Sequence, residues 1–151
     1  MKNGIPAAVW FLLLAANLMG AEIKSKAGAS LKTTYVWDGE TLKPKAGASL
    51  ENTWAFDGRE LKPRSGATLG NTYGWNGKEL KPRSGAILSN TYSWDGKTLK
   101  SRAGATLSNT WELDGKEWRT RSHATLATTW EVSGDIPPPV CAIVVFGINR
   151  P

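Results

Sequence analysis

From Lys26 to Gly134 the pattern of hydrophobic and polar positions repeats every 19 residues, without insertion, in six copies that begin at Lys26, Lys45, Arg64, Arg83, Arg102 and Arg121. Counted from each start, the fourth residue is always Ala, the sixth Leu, the ninth Thr, the tenth aromatic, the twelfth apolar and the fourteenth Gly. Positions four, six, ten and twelve share one parity. That is the period-two pattern of a strand with one buried face, so it predicts a long strand with Leu31 through Leu126 and the aromatic residues turned inward. The ninth-position Thr then faces outward. Asp-Gly or Asn-Gly follows in five copies, as at Asp38-Gly39 and Asn76-Gly77. These dipeptides predict a two-residue type I′ turn, with positive φ at both central residues. A shorter strand carrying Leu42, Leu61, Leu80, Leu99 or Trp118 comes next. A Lys-Pro-Arg-Ser-Gly-like turn ends each copy.

No 19-residue copy can bury its own apolar face, so the copies must bury one another's. In an open solenoid equivalent residues stack ~4.8 Å apart, and in a hairpin meander they lie two strands apart, ~9.6 Å. The tight-turn chemistry favours the meander. The ends of the array suggest closure. Glu22–Ser25 reads like Thr41–Pro44, the second strand of a copy, and the sixth copy lacks that strand. Pairing the two ends gives a closed antiparallel barrel of twelve strands over residues 22–134, mainly β, with no free edge. Such a barrel is too wide to be filled by its own wall. The apolar stretch 140–148, within a C-terminal segment 135–151, is the expected plug. Its leading prolines can start a helix, while its β-branched residues favour a strand. A central helix is the expectation, far too short to cross a membrane.

Residues 1–21 combine Lys2, an apolar run from Ala7 to Leu18 and small residues at Gly20 and Ala21. This layout predicts a secretory signal peptide cleaved near Ala21 and an exported protein, with a retained N-terminal anchor as the alternative.

The repeats NTYxWDGKxLKPRSGA, closed by a WEVxGxIPxPV tail, resemble the β-flower group of bacterial hairpin-repeat proteins over residues 22–148. That resemblance implies a shallow barrel of hairpin petals around an apolar helix, similar in architecture to the tubby C-terminal domain. His123 in place of a turn Gly, Cys141 and a third tail proline depart from the pattern. A shared barrel carries no activity with it.

Composition narrows the chemistry further. One Cys and one His exclude an intramolecular disulfide and a Cys/His zinc cluster. His123 reads as a turn residue able to adopt positive φ, and Cys141 as a small buried hydrophobe. One carboxylate per turn is too few for calcium. No catalytic grouping is evident, so a non-enzymatic protein without cofactor or metal is expected. The 19 Lys and Arg outnumber 13 Asp and Glu, and twelve of them flank the second turn in pairs. The pairs are Lys24/Lys26, Lys43/Lys45, Lys62/Arg64, Lys81/Arg83, Lys100/Arg102 and Arg119/Arg121. In a closed meander they gather on one rim and Asp-Gly turns on the other. A basic rim suits an anionic envelope surface (lipid, lipopolysaccharide or another polyanion) without specific nucleic-acid recognition. The alternative is an open β-solenoid surface or fibre protein, including an ice-binder built on the Thr array.

Overall fold

A computed structural model describes residues 20–148. Twelve short antiparallel strands form one closed barrel, ordered β1-β12-β11-β10-β9-β8-β7-β6-β5-β4-β3-β2. They run from β1 (Ala21–Ser25), β2 (Thr34–Trp37) and β3 (Thr41–Pro44) to β11 (Glu117–Thr120) and β12 (Thr129–Ser133), one hairpin per copy. Between these lie β4 (Trp54–Phe56), β5 (Glu60–Pro63), β6 (Tyr73–Trp75), β7 (Glu79–Pro82), β8 (Tyr92–Trp94), β9 (Thr98–Ser101) and β10 (Trp111–Asp114). The ends meet as expected. Ile23 pairs with Val132 on one side and with Tyr35 on the other. The meander and the closed ring exclude the open solenoid. β1 begins one residue before the expected boundary, because Ala21 pairs with Trp37 and lies against Gly134. The predicted signal segment up to residue 19 lies outside the described residues.

The inward face is built from the second strand of each hairpin. Ile23, Leu42, Leu61, Leu80, Leu99 and Trp118 are almost fully buried. Aromatic residues of the first strands, such as Trp37, Trp54, Tyr73, Trp111 and Trp130, complete the layer. Inside it sits helix α1 (Pro138–Val145), with Val140, Cys141, Ala142, Ile143, Val144 and Val145 all buried. The helix prevails over the β-branched content for two reasons. Every strand edge of the barrel is already paired, and an axial segment must therefore satisfy its backbone groups by itself. Pro138 occupies the first helical position, and Pro137 carbonyl accepts the N–H of Val140 and Cys141. At the other end Ile148 N–H bonds Ile143 carbonyl and Gly147 N–H bonds Val144 carbonyl, with Gly147 at φ 63. That is a Schellman C-cap.

Three local expectations change. The long strand is not formed: the first strands begin only at position nine or ten, and positions one to eight form a long turn instead. The sixth-position Leu residues are therefore outside the core. Leu31, Leu50, Leu69, Leu107 and Leu126, with Ile87 and Leu88, are 57–64% exposed. The ninth-position Thr residues do not form an outward array. Thr34, Thr53, Thr72, Thr91, Thr110 and Thr129 are buried. Five of their hydroxyls donate to the carbonyl four residues earlier, for example Thr91 Oγ1 to Ile87 O at 2.8 Å. The tight turns are not type I′. Positive φ falls on Gly alone, as at Gly39 (99) and Gly96 (97). Asp38 N–H donates to Thr41 O, so Gly39 takes the first central place of the loop, the glycine-first pattern of a type II′ turn.

Candidate functional site

The barrel sorts its turns by end. Every tight Asp-Gly turn lies on one rim and every long turn on the other, because the strands alternate in direction. The long-turn segments 26–33, 45–52, 64–71, 83–90, 102–109 and 121–128 carry seven Lys and Arg against one carboxylate, Glu51. The tight-turn segments 38–41, 57–60, 76–79, 95–98, 114–117 and 133–136 carry nine carboxylates against four cations. The formal charge is thus unequal between the two ends, although Lys26, Lys45, Arg83, Arg102 and Arg121 of the long turns reach carboxylates of the wall. β1 enters at the acidic rim, since Ala21 stands beside Trp37.

The basic rim also bears the exposed leucines, and its turns are ordered. In copies two to five the position-eight Asn accepts the position-five N–H and donates to the position-three carbonyl. Asn71 Oδ1 accepts Thr68 N–H at 2.7 Å, and its Nδ2 donates to Gly66 O at 3.1 Å. Thr33 and Thr128 take the same place in the end copies, accepting Ser30 and Thr125 N–H. Neighbouring turns are joined as well. Ala46 N–H donates to Leu31 O, Ser84 to Leu69, Ala103 to Leu88 and Ser122 to Leu107. Each Leu side chain therefore projects from a turn braced within itself, and at Leu31, Leu69, Leu88 and Leu107 tied to the next turn as well. The sequence hid this ring of leucines, because the exposed Leu has the same parity as the buried aromatics. The position-eight Asn was the available signal, as an Asn side chain folds a turn back on itself.

The twelve predicted cations are not an open array. Nine of them meet carboxylates along the outer wall. The commonest arrangement joins position one of a copy to position sixteen of the second hairpin before it, across one intervening strand. Arg83 Nη1 reaches Glu60 at 3.0 Å and Arg102 Nη1 reaches Glu79 at 2.6 Å. Lys45 pairs with Glu22, and Lys26 pairs with Glu117 across the closure of the ring. Lys62 and Lys81 add a second cation to Glu60 and Glu79 at 3.3 and 3.8 Å. Lys24 lies 3.9 Å from Glu131, Arg121 lies 3.4 Å from Glu112, and Arg119 pairs with Asp114. Lys43, Arg64 and Lys100 are in no ion pair among the described residues. The cations are exposed or nearly so and the carboxylates half-buried at most, so these pairs set register and charge placement more than stability.

The tight turns have their own polar logic. Asp95 Oδ1 accepts Lys97 and Thr98 N–H at 2.9 and 2.7 Å, and Oδ2 accepts Thr98 Oγ1 at 2.6 Å. The Thr98 hydroxyl and these N–H groups hold the Asp95 carboxyl down at about 2. In the plug, burial pushes the Cys141 thiol up to about 12. His123 stands on the basic rim at φ 55, as its turn-residue reading required, with Nδ1 3.2 Å from Ser122 Oγ. Among the described residues no group of three or more His, Cys, Asp or Glu could hold a metal ion. No family model, no curated protein and no solved structure matches this chain.

Proposed function

We propose that the protein is a non-enzymatic docking module that rests its long-turn rim on an anionic lipid surface. The ring of exposed aliphatic side chains on a net-positive rim carries this reading. Such a rim needs a partner that is at once apolar and negative. A second copy does not supply both. Rim-to-rim contact opposes like charge, and the acidic rim shows no large exposed hydrophobic residue among the described ones. A bilayer rich in anionic lipid does supply both, with acyl chains for Leu and headgroups for Lys and Arg. The turns are braced before contact, so little ordering entropy is lost on docking. The wall ion pairs reduce the number of free cations, which puts most of the affinity on the leucines. Export, as the N-terminal segment suggests, would bring the rim to an envelope membrane.

Co-sedimentation with vesicles tests this directly. The wild type should bind phosphatidylcholine vesicles containing phosphatidylglycerol and should bind pure phosphatidylcholine much less. Replacing Leu31, Leu69 and Leu107 together with Ser should weaken binding at least tenfold, since each buried Leu contributes about 1.5–3 kcal/mol. The melting temperature should barely move, because these side chains are exposed in the folded protein. Equal binding to neutral and anionic vesicles, or an unaffected triple variant, refutes the reading.

A further inference from the structure

Two copies display the same three-residue arrangement, and two others have Thr in place of its central carboxylate. Around Glu60 stand Lys62, two residues along the same strand, and Arg83 from the hairpin beyond. Around Glu79 stand Lys81 and Arg102 in the same relation. The equivalent residues in the first copy are Thr41, Lys43 and Arg64. Thr41 offers no carboxylate, and its hydroxyl donates to Asp38 Oδ2 at 2.8 Å. Thr98 is the other Thr at this position. There Arg121 turns instead to Glu112. Arg64 makes no such turn, so its clamp stays open.

Where the carboxylate would lie there is a surface groove. Thr41, Lys43, Ser49, Leu50, Thr53 and Arg64 line it, together with Ala48. It contains two cations and no carboxylate. The neighbouring carboxylates lie outside its lining. Asp38 feels the charge of Lys43, but its oxygens already accept Glu40 and Thr41 N–H and the Thr41 hydroxyl. Hydrogen bonding from Ser49 holds the Glu51 carboxyl below its ordinary value. Glu40, Asp57 and Glu60 line the adjoining groove, which Arg64 also borders.

We infer that Lys43 and Arg64 form a seat for a phosphate group, which takes the place of the missing carboxylate. Two copies show that this pair of positions clamps an oxyanion, and a phosphate oxyanion matches the two uncompensated cations. Leu50 stands at the lip of the groove and is 59% exposed. A phospholipid would thus place its headgroup on the cations and its chain beside the rim leucines. The lipid source rests on the proposed function, whereas the phosphate chemistry does not.

The experiment uses two variants that change net charge equally, Thr41→Glu and Thr98→Glu. The first supplies the clamp with its own carboxylate and fills the seat. The second adds the same charge at the equivalent position, away from Arg64. Neither introduces a foreign motif, since Glu60 and Glu117 already sit three residues after Asp57 and Asp114. Inorganic phosphate is titrated by heteronuclear NMR. The wild type should show saturable shifts at Lys43 and Arg64. Thr41→Glu should weaken them at least tenfold, Thr98→Glu by less than twofold, and Arg64→Gln should abolish them. Absence of saturable shifts in the wild type, or equal loss in the two Glu variants, overturns the seat. Phosphatidylglycerol vesicles form the second arm. Weaker vesicle binding by Thr41→Glu than by Thr98→Glu identifies the lipid as the source. Equal vesicle binding with the phosphate difference intact keeps the seat and assigns it to free phosphate. A wild type that binds phosphate but no vesicle rejects the lipid-docking function and leaves the seat standing.

Discussion

At the scale of single residues, the third position of each copy shows what the backbone demands. Gly28, Gly47, Gly66, Gly85 and Gly104 have φ between 60 and 71, and His123 adopts 55 in the sixth copy. An L-residue in this region is strained, His less than most. His123→Gly should therefore stabilise the protein, by about 0.5–1 kcal/mol once the freer unfolded chain is allowed for. The converse change is cleaner. A Cβ on Gly104 would meet nothing within 4 Å, so Gly104→Ala charges the backbone alone. It should destabilise by about 1 kcal/mol. Urea melts of both variants decide the matter. A loss of stability in His123→Gly would mean that the imidazole contributes something its strained backbone conceals.

At the scale of the hairpin, the tight turn is held by a carboxylate that works as a backbone mimic. Asp57 and Asp95 accept the N–H groups of the two residues after Gly, and so does Asn76 through its amide oxygen. Only the carboxylates make the turn sensitive to acid. The Asp95 carboxyl is held at about 2 in the folded protein, against ~3.9 for an unfolded Asp. A depressed folded value stabilises above the unfolded one, and this stability is lost as pH falls from about 4 through about 2. Exposure makes the contribution modest. Asp95→Asn should keep most of the neutral-pH stability, as Asn76 shows that an amide oxygen accepts the same two N–H groups, and should lose only the share of the Thr98 hydroxyl bond. It should also lose less stability between pH 5 and pH 2. Parallel drops in wild type and variant over that range would show that the carboxylate supplies nothing beyond its shape. The same turn marks where the sequence was legible and where it was not. Glycine at position fourteen announced a hairpin, and the lone strands at each end announced closure. The direction of Leu31 and its equivalents could not be read, because a turn that starts at position one leaves Ala and Leu on the parity of the strand that follows. The ion-pair partners were hidden for another reason. Arg83 reaches Glu60 across a neighbouring strand, a distance in sequence that no local pattern records. Gly74, on that strand, leaves the arginine stem room, with a Cβ there only 3.7 Å from Arg83 Cδ.

At the scale of the molecule, the ring and the plug are mutually dependent. Helix α1 follows β12 directly and lies inside a barrel whose closing pair is β1 with β12. It cannot leave along a free edge, because no edge exists. Its start lies near the acidic rim and its end near the basic rim, where Phe146 packs on Tyr92 with ring centroids 4.5 Å apart. The helix dipole thus opposes the charge difference between the rims, its positive end among carboxylates. Withdrawing the helix would empty a barrel too wide to close on its own side chains, so opening and unplugging should be one event. Cys141 reports on that event. Its thiol is fully buried within the plug and pushed up to about 12, which leaves no reactive thiolate in the folded state. Labelling by a disulfide reagent at pH 8 should be slowed roughly a thousandfold or more relative to the urea-unfolded chain. Its dependence on low urea should share the slope of global unfolding. Phe146→Ala should speed labelling in proportion to the global stability it removes, since no smaller opening exposes the sulfur. A shallower urea slope, or fast labelling of a protein that still melts cooperatively, would show the plug leaving a standing barrel and would end the claim that ring and helix fold as one unit.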